Sequence, residues 1–227
     1  MNLAEARVAV LAHHDFQELE LWYPVLRLRE EGVEVVVVGP STQAASVSKQ
    51  GHPVYADLAS ADADPAAFDA VVVPGGLAPE RMRNDKAMVA LVRAVHDRGD
   101  LVATVCHAGW MLASADIAKG RKVTCVHVIK DDVINAGGHY VNEPVVRDGN
   151  IISARLPNDL PAFCREIVAY LKEAPGGRNA GREAPQARPR STAAFQVPAH
   201  LELGPAPGGP ASANYSIKVV HEEPGRA

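Results

Sequence analysis

Four runs of apolar, largely β-branched residues constrain this chain more than any other feature. They occupy residues 7–12, 33–38, 69–73 and 101–105. Each has the length of a strand, and β-branched side chains pack well on a pleated surface. The runs are nearly continuous rather than alternating, so the sheet they form must be covered on both faces. Helical patterns lie between them. Residues 19–31 carry an apolar face that stops at Gly32, and Pro24 predicts a turn before it or a kinked first turn. Asn84 is the expected N-cap of the next helix. Met88, Leu91, Val92 and Val95 mark its apolar face, and Gly99 its stop. Residues 108–117 read as a helix, 145–147 and 151–153 as a hairpin turning at Asp148-Gly149, and 160–171 as the last helix. Such alternation predicts an α/β three-layer sandwich, a mostly parallel sheet with helices on both faces. Active sites in these sheets lie at the carboxyl ends of the strands.

Composition divides the chain. With 227 residues and 47% hydrophobic content there is material for one sizeable core, expected over residues 1–173. From residue 174 prolines and glycines crowd the sequence, and residues 174–227 form an expected C-terminal extension. Its first part, 174–212, reads as an extended tail. Residues 215–220 alternate like a strand, which either adds to a sheet edge or remains a disordered end. The net charge of −4 comes from mixed acids and bases, so neither a nucleic-acid stripe nor a polybasic membrane patch is expected. Residues 1–7 lack an apolar signal stretch, and no run approaches the ~20 apolar residues of a spanning helix. The expectation is a cytoplasmic protein with no membrane partner. Cys106, Cys125 and Cys164 are too widely spaced for a disulfide framework or a thiolate zinc site. His13 and His14 are adjacent on a strand end and point opposite ways, so no metal is expected there.

Cys106 closes the fourth strand and is followed at once by His107-Ala108-Gly109. A strand that ends on a nucleophile and turns directly into a helix lifts that side chain clear of the sheet. The helix's free N–H groups and dipole then favour thiolate over thiol. A buried structural cysteine remains the plain alternative. Three other segments converge on the same end of the sheet. Asp15, Glu18 and Glu20 follow the first strand, and a carboxyl beside a thiolate shares a proton with it and titrates as a unit. For any one of these acids taken singly, capping or solvating a helix N-terminus is the plainer account. Gly75-Gly76 follows the third strand, and the Gly76 N–H together with the His107 amide can form an oxyanion hole. Residues 124–127 should lie near the pocket wall, where His127 is catalytic or structural.

These pieces resemble the PfpI family of intracellular cysteine peptidases and deglycases, in the flavodoxin-like, class I glutamine-amidotransferase-like superfamily. The resemblance covers residues 7–172. It is carried by Glu20-Leu21-Trp22-Tyr23-Pro24, the run from Phe68 to Gly76, Ala78-Pro79-Glu80-Arg81, Val105-Cys106-His107, Lys119-Gly120-Arg121-Lys122 and the run from Lys130 to Gly137. It implies that Cys106 is the nucleophile and His107 its neighbour in a Cys-His pair. Glu20 would be the acid that hydrogen-bonds the cysteine and shuttles protons. Glu80 would complete a Cys-His-Glu triad from an adjacent subunit, which makes a homo-oligomer part of the chemistry. Neither a cofactor nor a metal is implied. Two departures stand out. Ala108-Gly109-Trp110 replaces the Gly-Pro that follows Cys-His in the peptidases, placing Trp110 near the pocket. Val126-His127-Val128 replaces Tyr-Pro-Gly, so a pocket tyrosine is lost and His127 takes its region.

The expected function is addition of the Cys106 thiolate to an electrophilic carbon of a small molecule or peptide, with hydrolysis or hydration of the adduct. Amides, 2-oxoaldehydes and their adducts all suit these groups. Isocyanide hydratase-like and cofactor-free glyoxalase-like reactions are alternatives, as is a non-enzymatic redox sensor or stress chaperone built on an oxidisable cysteine.

Overall fold

The apolar runs are the inner strands of one seven-stranded sheet in a computed structural model that describes residues 2–174, 203–205 and 215–217. Along the chain come β1 (Arg7–Leu11), α1 (Glu18–Glu30), β2 (Glu34–Gly39), a small antiparallel pair β3 (Ser46–Val47) and β4 (Pro53–Val54), and the edge strand β5 (Leu58–Ala59). Next are β6 (Ala70–Val73), α2 (Ala78–Met82), α3 (Lys86–Asp97), β7 (Leu101–Val105) and α4 (Gly109–Ser114). Then follow β8 (Lys122–Val123), α5 (Lys130–Asn135), β9 (His139–Tyr140), the hairpin β10 (Val145–Asp148) and β11 (Ile151–Ala154), and α6 (Leu160–Glu173).

The sheet order is β10-β11-β7-β6-β1-β2-β5. All pairings are parallel except β10 with β11. The five longer parallel strands thus run in the flavodoxin-like order, the second beside the first and the third on its other side. α1 and α6 pack together, while α3 lies on β6 and β7. Right-handed crossovers running in opposite directions from β1 put these helices on opposite faces. β6 and β7 are buried along their whole length, as continuous apolar strands require. The strand order reverses between β1 and β6. A crevice therefore opens at their carboxyl ends, and a lone antiparallel bridge joins Phe16 to Gly76 across it. Among the described residues no helix is long and apolar enough to cross a membrane.

Several local expectations need correction. α1 passes through Pro24 without a break. Proline costs the helix one hydrogen bond, to the Glu20 carbonyl, but the buried face of Leu21, Val25 and Leu28 and the Gln17 cap hold it together. Asp85, not Asn84, caps α3: its Oδ1 accepts the N–H groups of Ala87 and Met88 at 2.9 and 3.2 Å. Asn84 instead donates to the Glu80 carbonyl. The helix expected over 108–117 is shorter. A 3₁₀ turn, Cys106–Ala108, precedes α4, and Asp116 stops the helix with a left-handed φ of 54°.

The C-terminal extension contributes a second unit. In it β12 (Leu203–Pro205) pairs antiparallel with β13 (Tyr215–Ile217). Of the strand expected over 215–220, residues 215–217 are β13, paired with β12, and residues 218–220 lie outside the described residues. Residues 175–202, expected as an extended tail, lie outside the described residues.

Candidate active site

Cys106 stands at the end of β7 with φ 61°. A left-handed conformation costs a non-glycine residue about 1–3 kcal/mol and persists only where the surroundings enforce it. Here β7 is buried up to Val105, and the Val126 N–H holds the Cys106 carbonyl at 3.3 Å. The bend turns the side chain out of the sheet, leaving Cys106 8% exposed at the floor of the crevice.

Glu20 reaches the same point from the first turn of α1. The Gln17 side-chain oxygen caps that turn by accepting the Glu20 N–H at 2.9 Å. The Glu20 side chain is fully buried. Its Oε2 accepts the Gly75 N–H at 2.8 Å. Oε1 is buried without a hydrogen-bond partner, and the Cys106 thiol is the side chain that interacts with the carboxyl. Burial drives the Glu20 carboxyl up to about 7, against the smaller opposing pull of the Gly75 amide, the thiol and Lys49. Burial also pushes the Cys106 thiol up, to about 12. The Glu20 charge adds to that rise, while the amides of His107 and Gly76 pull the other way. The depressed thiol pKa expected from the elbow alone is thus not found, because desolvation and a neighbouring carboxylate outweigh two N–H groups. The pair holds two protons in acid and a single shared proton above neutrality. In this arrangement Glu20 is the group placed to receive the thiol proton.

His107 is half-buried, with Nδ1 3.3 Å from Cys106 Sγ. Burial first and the charge of Lys49 second lower its pKa, so the imidazole is neutral at neutral pH. Its ring lies 5.2 Å from that of Trp110. Trp110 in turn donates Nε1–H to Asp132 Oδ2 at 2.7 Å, and the Arg83 guanidinium stands 5.9 Å from the indole.

The two glycines after β6 fill opposite needs. A Cβ on Gly75 would sit 2.5 Å from Glu20 Oε2 and 2.7 Å from Cys106 Cβ, so the acid and the nucleophile close over a bare backbone. Gly76 has φ 72° and packs against the main chain of Asp15, Phe16 and Gln17. Its N–H and that of His107 both point at Cys106 Sγ. Two amides converging beside a nucleophile are the geometry of an oxyanion hole.

Of the three acids after β1, only Glu20 faces the sulfur. Asp15 pairs with Arg81 at 2.7 Å, and Glu18 Oε1 accepts the Gln50 N–H at 2.7 Å. Glu80 is exposed on α2. His127 is exposed too and its ring contact is with Tyr140, 6.4 Å away, not with the sulfur. His14 Nδ1 accepts the Val47 N–H. Two residues beside Cys106 carry no signal in the sequence. Asp132 lies in the run from Lys130 to Gly137 but anchors Trp110, distant in sequence. Lys49 sits in a short hairpin with no periodicity to mark it.

The profile of the DJ-1/PfpI family matches residues 6–170. The chain belongs to the DJ-1/PfpI family. Its similar relatives include an uncharacterised protein of Archaeoglobus fulgidus, 44% identical over 73% of this chain and 98% of that one. Deglycase PfpI of Pyrococcus furiosus is 42% identical over 73% of this chain and 99% of its own. Among solved structures, Drosophila melanogaster DJ-1beta superposes with a TM-score of 0.68 at 29% identity, covering 73% of this chain and 90% of that one. A two-domain Anabaena variabilis protein with DJ-1/ThiJ/PfpI-like and ferritin-like domains gives 0.72 at 35% identity over 79% of this chain. The match spans about half of that protein's length, 52%.

Proposed function

We propose that this family member is a cysteine-dependent enzyme that releases an amine from an amide or from a 2-oxoaldehyde adduct through a Cys106 covalent intermediate. The observation that carries the proposal is the buried Glu20 carboxyl beside Cys106, both packed on Gly75, with two amides directed at the sulfur. The deglycase name borne by relatives of Pyrococcus and Thermococcus supports the same substrate class.

On an amide, the first step forms a C–S bond as the carbonyl π bond opens. The thiol proton passes to Glu20, and the oxyanion rests on the N–H groups of Gly76 and His107. Glu20 then returns the proton to the departing amine as the C–N bond breaks. Water attacks the adduct, gives a proton back through Glu20, and frees Cys106. Neutral His107 lies 3.3 Å from the sulfur and orients it throughout. Glu80 of the partner subunit is proposed to meet His107 in a homo-oligomer, which fits its exposure on α2.

The test is amine release from amides and from methylglyoxal-treated amines, with intact-mass detection of an adduct and sedimentation of the same sample. Turnover that vanishes in Cys106→Ser is expected. Stoichiometric modification of Cys106 without turnover would identify a sensor instead.

A further inference from the structure

Lys49 lies outside every catalytic motif, yet the backbone builds it into the rim of the site. Three hydrogen bonds tie the turn between β3 and β4 to the segment after β1. Asp15 N–H donates to the Val47 carbonyl at 2.7 Å, Lys49 N–H to the Phe16 carbonyl at 3.0 Å, and Gln50 N–H to Glu18 Oε1 at 2.7 Å. Phe16 is itself bridged to Gly76. Lys49 is therefore one ladder step from an oxyanion donor, with its side chain exposed. Its charge has no carboxylate partner: the lysine ion pairs among the described residues are those of Lys130 and Lys172. The acids nearby are engaged elsewhere, Asp15 with Arg81, Glu18 with Gln50 and Glu20 with Gly75. The field of Lys49 reaches both Glu20 and His107.

We propose that Lys49 selects substrates carrying a carboxylate next to the electrophilic carbon and holds that carboxylate at the rim while Cys106 attacks. The proposal rests on Cys106 being the nucleophile. An ionised Glu20 beneath the crevice repels an anionic substrate, and an uncommitted ammonium at the mouth offsets that repulsion. Adducts of free amino acids carry such a carboxylate close to the reacting carbon. Adducts of lysine side chains in a protein do not.

Iodoacetate and iodoacetamide differ little in shape and alkylate the same sulfur, one as an anion and one neutral. The ratio of their rates at Cys106, read by peptide mass, isolates the charge effect. One charge pair at a solvated rim is worth about fivefold. The ratio is expected to fall about fivefold in Lys49→Gln and to be retained in Lys49→Arg. In the unaltered protein it should drop toward the Lys49→Gln value at about 1 M salt, where screening is short-ranged. An unchanged ratio in a folded Lys49→Gln protein overturns the role of Lys49 and leaves the nucleophile standing. Failure of both reagents to label Cys106 ahead of Cys125 and Cys164 overturns both.

Discussion

The Gly75 amide donates to Glu20 Oε2 at 2.8 Å, and a methyl group on Gly75 would stand 2.5 Å from that same oxygen. The hydrogen bond that fixes the acid and the space that admits it come from one residue. Any side chain there also meets Cys106 Cβ at 2.7 Å and the Val105 carbonyl at 2.9 Å. The carboxylate can swing aside, whereas the end of β7 cannot.

Gly75→Ala is therefore expected to lower stability by about 1–3 kcal/mol, the usual cost of overpacking, and to slow Cys106 alkylation. Melting curves and intact-mass labelling measure the two effects. An alanine variant that matches the parent in both would show that acid and nucleophile are not locked over this backbone.

Alkylation of Cys106 by iodoacetamide should rise through a midpoint near pH 7. Loss of the pair's first proton there creates the carboxylate that receives the thiol proton. Glu20→Gln is expected to abolish that midpoint and to cost at least about 10² in turnover. The same variant has a signed effect on stability. Folding raises the Glu20 pKa from 4.5 to about 7, so its stabilising contribution is whole below 4.5 and lost as pH rises through 7. A glutamine has no charge to desolvate. Glu20→Gln should exceed the parent by roughly 3 kcal/mol at pH 8 and equal it at pH 4. Denaturant midpoints at the two pH values decide this, and a variant less stable at pH 8 would contradict a desolvated carboxylate.

Asp132 is linked to the sulfur through two rings. It holds the Trp110 indole at 2.7 Å, and the indole backs His107. Asp132→Ala should slow Cys106 alkylation roughly tenfold, within the about 10²-fold that an ångström of misplacement costs. The midpoint near pH 7 should stay, because Glu20 is untouched. Asp132→Asn keeps an acceptor for the indole N–H and should restore the rate. A shifted midpoint, or no rescue by asparagine, would assign Asp132 an electrostatic role in place of a positioning one.

Apolar periodicity was enough to determine the layered α/β architecture. Continuous apolar strands such as β6 and β7 can be stable only with both faces covered, and that information is local. The Cys106 elbow was legible for the same reason, since a strand, a nucleophile and a helix start are contiguous in sequence. The choice of Glu20 over Asp15 and Glu18 came from family resemblance, because three acids within six residues look alike until each partner is known. Tertiary structure made that distinction physical by giving Asp15 to Arg81 and Glu18 to Gln50 while burying Glu20 against the thiol. It also reversed the expected direction of the thiol pKa. Helix N–H groups can be read from a chain, but desolvation depends on everything packed around the sulfur. Lys49 and Asp132 come near Cys106 only because a hairpin folds back on the segment after β1 and α5 comes alongside α4. Contacts between residues far apart in sequence leave no periodic trace, so their place was decided by the fold alone.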